Sequence, residues 1–291
     1  MVKMSIGAAI SETFAFLKAN WVQMLMWIGG TIVVLGILGY LMLGSTLASM
    51  AMAPNDPSAM MGAMSRIFLF AIIAAVILYA VGMLIWRGGL HPGESPNIGW
   101  AFQAGPAFAL ATMVVMFAAY ILVIVISLVL ALLFGAALGG AGAFSPGALQ
   151  SGAVGGGVLF VLVAYYIAIL VFFVWLQSRL SVAGPVMAER LTRNPVTGIT
   201  ESWKLTSASQ WLIVLFYILL VIASVVYSLI AGMIFSGIIG ALAGGGSGVG
   251  AMLAMIVMGL VVYLPMLTVS LSVPVGIYRA ISRGTTGEVF A

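Results

Sequence analysis

A chain of 291 residues that is 64% hydrophobic and 5% charged, with a mean hydropathy of +1.29, has too little polar side chain to enclose its apolar residues in water. Ten basic and six acidic residues exclude a soluble globular domain. The lack of cysteine excludes a disulfide framework and a thiolate metal site.

The segment SIGAAISETFAFLKANW opens on a capping candidate, Ser5, and sets Ile6, Ile10, Phe14, Leu17 and Trp21 along one helical face. It predicts an amphipathic helix at the membrane surface, with Ile10 and Phe14 turned to the bilayer or the bundle. Glu12 and Lys18 interrupt any apolar core there, which argues against a cleavable signal peptide. Apolar runs long enough to span a bilayer as helices then follow at Trp21–Leu43, Ile67–Trp86, Ala107–Phe134, Val158–Leu176, Trp211–Phe235 and Met252–Tyr278. After the second run come Arg87 and a loop with the only histidine, His91, which reads as a solvated loop residue. Ser95 and Pro96 form a cap and first-turn proline ahead of the third run. After the fourth run and Arg179, Asn194 and Pro195 open another amphipathic helix. It carries Val196, Ile199 and Trp203 on one face and Thr200, Lys204 and Ser207 on another. The end of the fifth run carries a row of small residues, Gly232, Ser236, Gly240 and Gly244. In the sixth run Pro265 and Pro274 bracket Thr268, Ser270 and Ser272, a candidate broken-helix segment, and Arg279 follows.

The charges orient these runs. The loop between the first two spans holds only Asp56 and Arg66, and the corresponding loops after the third and fifth spans hold no charge. The other nine of the ten basic residues fall on the opposite side, which predicts cytoplasmic termini. The net charge of +4 is thereby accounted for without a nucleic-acid partner.

The landmarks recur. Overlaying Ser5 on Asn194 brings Ile10 onto Ile199, Glu12 onto Glu201 and Phe14 onto Trp203, while the middle segment has Phe102 in place of the glutamate. Each returning span ends in arginine, at Arg87, Arg179 and Arg279. We read an all-α, polytopic transmembrane helical bundle of about six spans. It forms a single membrane domain over residues 1–291, made of three units of interfacial helix plus transmembrane hairpin, at about 1–90, 91–190 and 191–291.

No span has Asp, Glu, Lys, Arg or His near its centre, against an intramembrane proton relay or carboxylate site. One histidine without cysteine cannot complete a metal site, and no nucleophile has an evident base. Catalytic residues, metal ligands and cofactors are therefore not expected.

The stretch RLSVAGPVMAERLTRNPVTGITESWKLTSASQW, residues 179–211, resembles the membrane domain that precedes some bacterial glycerophosphodiester phosphodiesterases and that also stands alone in integral membrane proteins. The similarity rests on Arg179, Gly184-Pro185-Val186, Glu189 and Ser202-Trp203-Lys204-Leu205-Thr206, and SIGAAISETFAFL fits the same pattern. The resemblance implies a helical bundle in a bacterial cytoplasmic membrane. It carries no catalysis, since the phosphodiesterase is a separate soluble barrel. The expected function is thus non-enzymatic: lipid binding, or an accessory role beside a membrane-protein partner or a second copy. Arg87, Arg179, Arg279 and Lys204 are the candidate contacts to lipid head groups or a partner, and Ile10, Phe14, Ile199 and Trp203 the candidate interfacial face. The alternative is a transporter or channel for an uncharged or apolar substrate, built on Pro265, Thr268, Ser270 and Pro274.

Reporter fusions test the orientation: one at Ala291 and one in the loop of residues 139–157 are expected on opposite sides of the membrane, and the same side for both would refute the hairpin arrangement.

Overall fold

The computed structural model describes residues 4–52, 57–137, 156–243, 257 and 259–287. Among them there is no strand. In chain order the helices are α1 (Ile6–Met52), α2 (Pro57–Leu90), α3 (Ile98–Ala137), α4 (Gly156–Leu180), α5 (Ala183–Glu189), α6 (Pro195–Thr206) and α7 (Gln210–Ala243). A π-helical turn at Gly259–Tyr263 then leads into α8 (Leu264–Gly287). Six helical stretches are long and apolar enough to cross a bilayer, and each overlaps one of the six runs expected from sequence, residues 252–256 of the sixth lying outside the described residues. The chain is a multi-pass integral membrane protein.

Local chemistry sets the helix starts. The Ser5 hydroxyl accepts the Ala8 amide at 3.1 Å, and Asn194 Oδ1 accepts the Val196 amide at 3.0 Å, so both expected caps form. The third cap lies two residues beyond the expected Ser95: Asn97 Oδ1 accepts the Trp100 amide at 2.9 Å. The expected surface helices also differ. α1 runs unbroken for 47 residues, about 70 Å at 1.5 Å per residue, so its amphipathic start is continuous with the span. Nothing between Lys18 and Trp21 breaks a helix, and the Asn20 side chain donates to the Phe16 carbonyl at 2.9 Å instead of capping a new one. α3 is likewise continuous with its span. Only α6 stands apart, separated from α7 by a 3-10 turn at Ser207–Ser209.

The chain divides into two compact units, one of residues 1–109 with 178–291, the other of residues 110–177. In the first, α8 is the central element, and Ser272 through Ile277 are all buried. Val275 belongs to a buried cluster with Phe16, Met24 and Ile28 of α1, Met83, Ile85 and Trp86 of α2, and Met187 of α5. Val273 and Ile277 join a second cluster with Met4, Ala9, Val182, Ile213 and Phe216. Apolar side chains gain little by leaving lipid for protein, so close backbone approach contributes much of the packing. A Cβ at Gly276 would stand 2.7 Å from the Thr13 amide nitrogen, and one at Gly105 would stand 2.5 Å from the backbone of Ala80. These two glycines let α8 meet α1 and α3 meet α2.

Pro265 has no N–H to offer the Val261 carbonyl four residues back, and the Tyr227 hydroxyl of α7 supplies the missing donor at 2.7 Å. That exchange accompanies the π turn. Thr268 donates to the Leu264 carbonyl and Ser272 to the Thr268 carbonyl, so these two hydroxyls bond within their own helix, and the Ser272 oxygen also lies 3.7 Å from the Met24 sulfur.

In the second unit, α3 and α4 touch where the Tyr120 and Phe173 rings lie 4.7 Å apart and where the hydroxyls of Ser127 and Tyr165 share a hydrogen bond. An apolar crevice of about 240 Å³ opens between Leu122, Ile126, Ile169 and Phe172. The small-residue row of α7 makes no close approach at its described start, since Gly232 faces open space; Gly244 lies outside the described residues.

Substituting Gly276→Val is expected to force α8 from α1 and cost about 1–3 kcal/mol as overpacking. Gly232→Ala is expected to lie within about 0.5 kcal/mol of the parent. Thermal unfolding of the detergent-solubilised protein measures both, and equal effects would refute the close approach.

Candidate functional site: the cationic end of the first unit

The last four carbonyls of a helix have no partner within it. Three arginines, each at the end of a returning span, serve such carbonyls on a different helix. Arg279 of α8 donates to the Gly89 carbonyl of α2 at 2.8 Å, with its guanidinium 5.5 Å from the Phe16 ring centroid. Arg87 of α2 forks from Nη1 to the Ala188 and Glu189 carbonyls of α5 at 3.0 and 2.9 Å. Its Nε and Nη2 donate to the Glu94 carboxylate at 3.0 and 2.5 Å. Arg179, at the end of α4, donates to the Trp203 carbonyl of α6 at 3.1 Å and lies 4.7 Å from the Trp203 ring centroid.

These bonds complete the end of α5. Its Val186 carbonyl takes the Arg190 amide at 3.1 Å and its Met187 carbonyl takes the Thr192 amide at 3.2 Å, while Arg87 holds the remaining two. The closing turn puts Leu191 at φ 51°, the left-handed position where glycine is usual. His91 is bound rather than solvated: Nε2 lies 3.2 Å from Oε2 of Glu189, and Nδ1 lies 3.6 Å from Oε1 of Glu94. Glu94 lies three residues on in the sequence, but Glu189 is brought to His91 only by the fold.

α6 meets the core by an unexpected face. Gly198, Ser202 and Thr206 are the buried residues. The Ser202 hydroxyl donates to the Arg179 carbonyl at 2.6 Å, so Arg179 is held by both its backbone and its guanidinium. The four-residue spacing of small residues at 198, 202 and 206 was the legible signal. Ile199 and Trp203 are half-buried, with Ile199 packed against the core. Ile10 and Phe14 of α1 point outward, Phe14 being 63% exposed. Lys204 is exposed and 3.9 Å from Glu201, which also pairs with Arg190 at 3.4 Å. In the broken-helix segment Pro265 and Ser270 are exposed, Thr268 is half-buried and Pro274 is buried in the core.

Two adjoining clefts open beside this network, each of about 590 Å³. They share Asn97 and Leu191. One reaches Arg87 and Glu94; the other is lined by Trp100, Thr192, Arg193 and Asn194. Among the described residues no group of three His, Cys, Asp or Glu side chains could hold a metal ion. Comparison with protein-family models, curated proteins and solved structures gives no match for this chain.

Replacing Arg87 or Arg279 by glutamine is expected to strand buried carbonyls and cost about 1.5–3 kcal/mol each, the range for hydrogen bonds to charged groups. Lys204→Gln, at a surface pair, is expected to cost less than about 1 kcal/mol. Chemical unfolding in mixed micelles measures the difference, and equal losses at all three positions would refute the capping role.

Proposed function

We propose that this protein is a non-enzymatic membrane protein of a bacterial cytoplasmic membrane, with both termini cytoplasmic, that retains anionic lipid and acts as an accessory partner to other membrane components. One observation carries the reading. The guanidinium groups of Arg87, Arg179 and Arg279 bond to protein carbonyls, while Arg190 and Lys204 stand around them with side chains 54% and 66% exposed. A stiff core end with an outer rim of cations suits an anionic lipid surface, each such charge contributing about 1 kcal/mol of attraction. The resemblance of residues 179–211 supports the bacterial setting. It concerns residues that pack this corner: Gly184 lies against the Trp86 ring, and Ser202 binds Arg179.

A second reading, passage of an uncharged or apolar substrate, draws on the π turn at Gly259–Tyr263 and the Tyr227 bond to Val261, since π turns inside spans often accompany function. It leaves the cationic rim without a role.

The test is native mass spectrometry of protein extracted from its membrane. The double variant Arg190→Gln/Lys204→Gln is expected to lose anionic phospholipid by roughly ten- to thirty-fold, from about 1 kcal/mol per charge. Zwitterionic lipid is expected to remain. Unchanged anionic-lipid retention would overturn the lipid reading, and flux of an uncharged solute in proteoliposomes would favour the second one.

A further inference from the structure

Between Leu47 and Ile67 every large apolar side chain is a methionine: Met50, Met52, Met60, Met61 and Met64. Elsewhere leucine, isoleucine, valine and phenylalanine take most apolar positions, and the charge-free segment 135–157 has leucine and phenylalanine but no methionine. Any of these residues would supply hydrophobicity. What sets the segment before the second span apart is sulfur.

We propose that the start of α2 is a thioether site for a soft monovalent metal ion, of the copper(I) and silver(I) class, with Met60, Met61 and Met64 as its ligands. At 100° per residue, Met60, Met64 and Met61 fall in that order within one arc of about 100° on α2. Ala63 lies about 60° to the other side of Met60 and is only 1% exposed, so it marks the face turned to the protein. The methionines are 45%, 68% and 75% exposed in the same angular order. Met64 is four residues from Met60 and three from Met61, spacings that set Cβ atoms about 5–6 Å apart. The flexible, unbranched side chains let neighbouring sulfurs close on one ion.

Charge and water favour the same place. α2 has 34 residues, about 51 Å of helix against about 30 Å of hydrocarbon, so it leaves the apolar layer. Arg66 marks that boundary, and the three methionines stand on its water side. Its guanidinium falls on the opposite side of the helix and donates to Thr46 of α1 at 2.8 Å, which draws the positive charge away from the sulfurs. Thioethers are soft and neutral, and soft donors select copper(I), whereas magnesium, calcium and manganese take oxygen. Three neutral donors leave a monovalent ion with one net charge, and a divalent one with two. The histidine and carboxylates of the cationic end take no part, since Arg87 and its partners lie at the other end of α2. The proposal is therefore independent of the lipid reading.

The experiment uses the full chain in a maltoside detergent and nitrate buffer, with its methionine methyls labelled with carbon-13. Silver nitrate is the redox-inert probe. One silver per chain is expected after dialysis, by elemental mass spectrometry, together with saturable shifts of the Met60, Met61 and Met64 methyl signals, each assigned by its loss in a leucine variant. Copper(I) is expected to displace the silver, and magnesium and zinc to leave it bound. Met60→Leu/Met61→Leu/Met64→Leu conserves volume and is expected to lose that equivalent. Met26→Leu/Met113→Leu/Met233→Leu removes three exposed but scattered thioethers and is expected to keep it. The methyl shifts of the parent protein test the site even where a variant fails to fold. No saturable shift at the three methyls, silver retained by the folded site variant, equal loss in the scattered variant, or displacement by zinc would overturn the proposal.

Discussion

Helix ends are the difficult part of a membrane protein, because unpaired carbonyls carry the negative end of the helix dipole and cannot be left in an apolar layer. Here the solution is cationic and made in trans: arginine from the end of one span closes the end of another helix. Arg279 serves α2, Arg87 of α2 serves α5, and Arg179 serves α6. Only a planar fork can hold two adjacent carbonyls with one nitrogen and a carboxylate with the other two, as Arg87 does; a lysine ammonium in the same place would release part of that set. The rest of the charged end follows from these bonds. The complete α5 terminus forces the turn at Leu191, and that turn aligns residues 192–194 with the start of α3.

The membrane-embedded part is held differently. Lipid tails are as apolar as leucine, so burial of the second kind, backbone against backbone and hydroxyl to carbonyl, distinguishes the folded bundle from separated helices. Gly276 against Thr13 and Gly105 against Ala80 are such contacts, and α6 uses Gly198, Ser202 and Thr206 in the same way. Pro265 shows the converse case, a lost backbone donor replaced by a tyrosine hydroxyl from another span. The second unit has few of these devices. Its two helices meet through aromatic rings and one hydroxyl pair, and leave an apolar crevice between them.

This division bears on function. A cationic end with exposed Arg190 and Lys204 differs chemically from a hairpin whose described helices meet through aromatic rings and a hydroxyl pair. The proposed attraction to an anionic surface draws on the former. Within the spans, Thr268 and Ser272 spend their hydroxyl protons on their own helix, which leaves acceptor oxygens there but few free donors.

What the sequence determined by itself was set by solvent and distance along the chain. Apolar runs matched to bilayer thickness fixed six helices, and side-chain caps acting two or three residues ahead identified Ser5 and Asn194 as helix starts. Other features needed partners far apart in sequence. Glu189 reaches His91 only across the fold, at 3.2 Å and 98 residues away in sequence. Ile199 and Trp203 are half-buried, while the face that docks α6 is the small and polar one, where the Ser202 hydroxyl donates to the Arg179 carbonyl. The arginines were legible as a recurring mark at span ends. Their partners were not, since each guanidinium finds its carbonyl on a helix from another part of the chain, and only tertiary packing brings the two within hydrogen-bond distance.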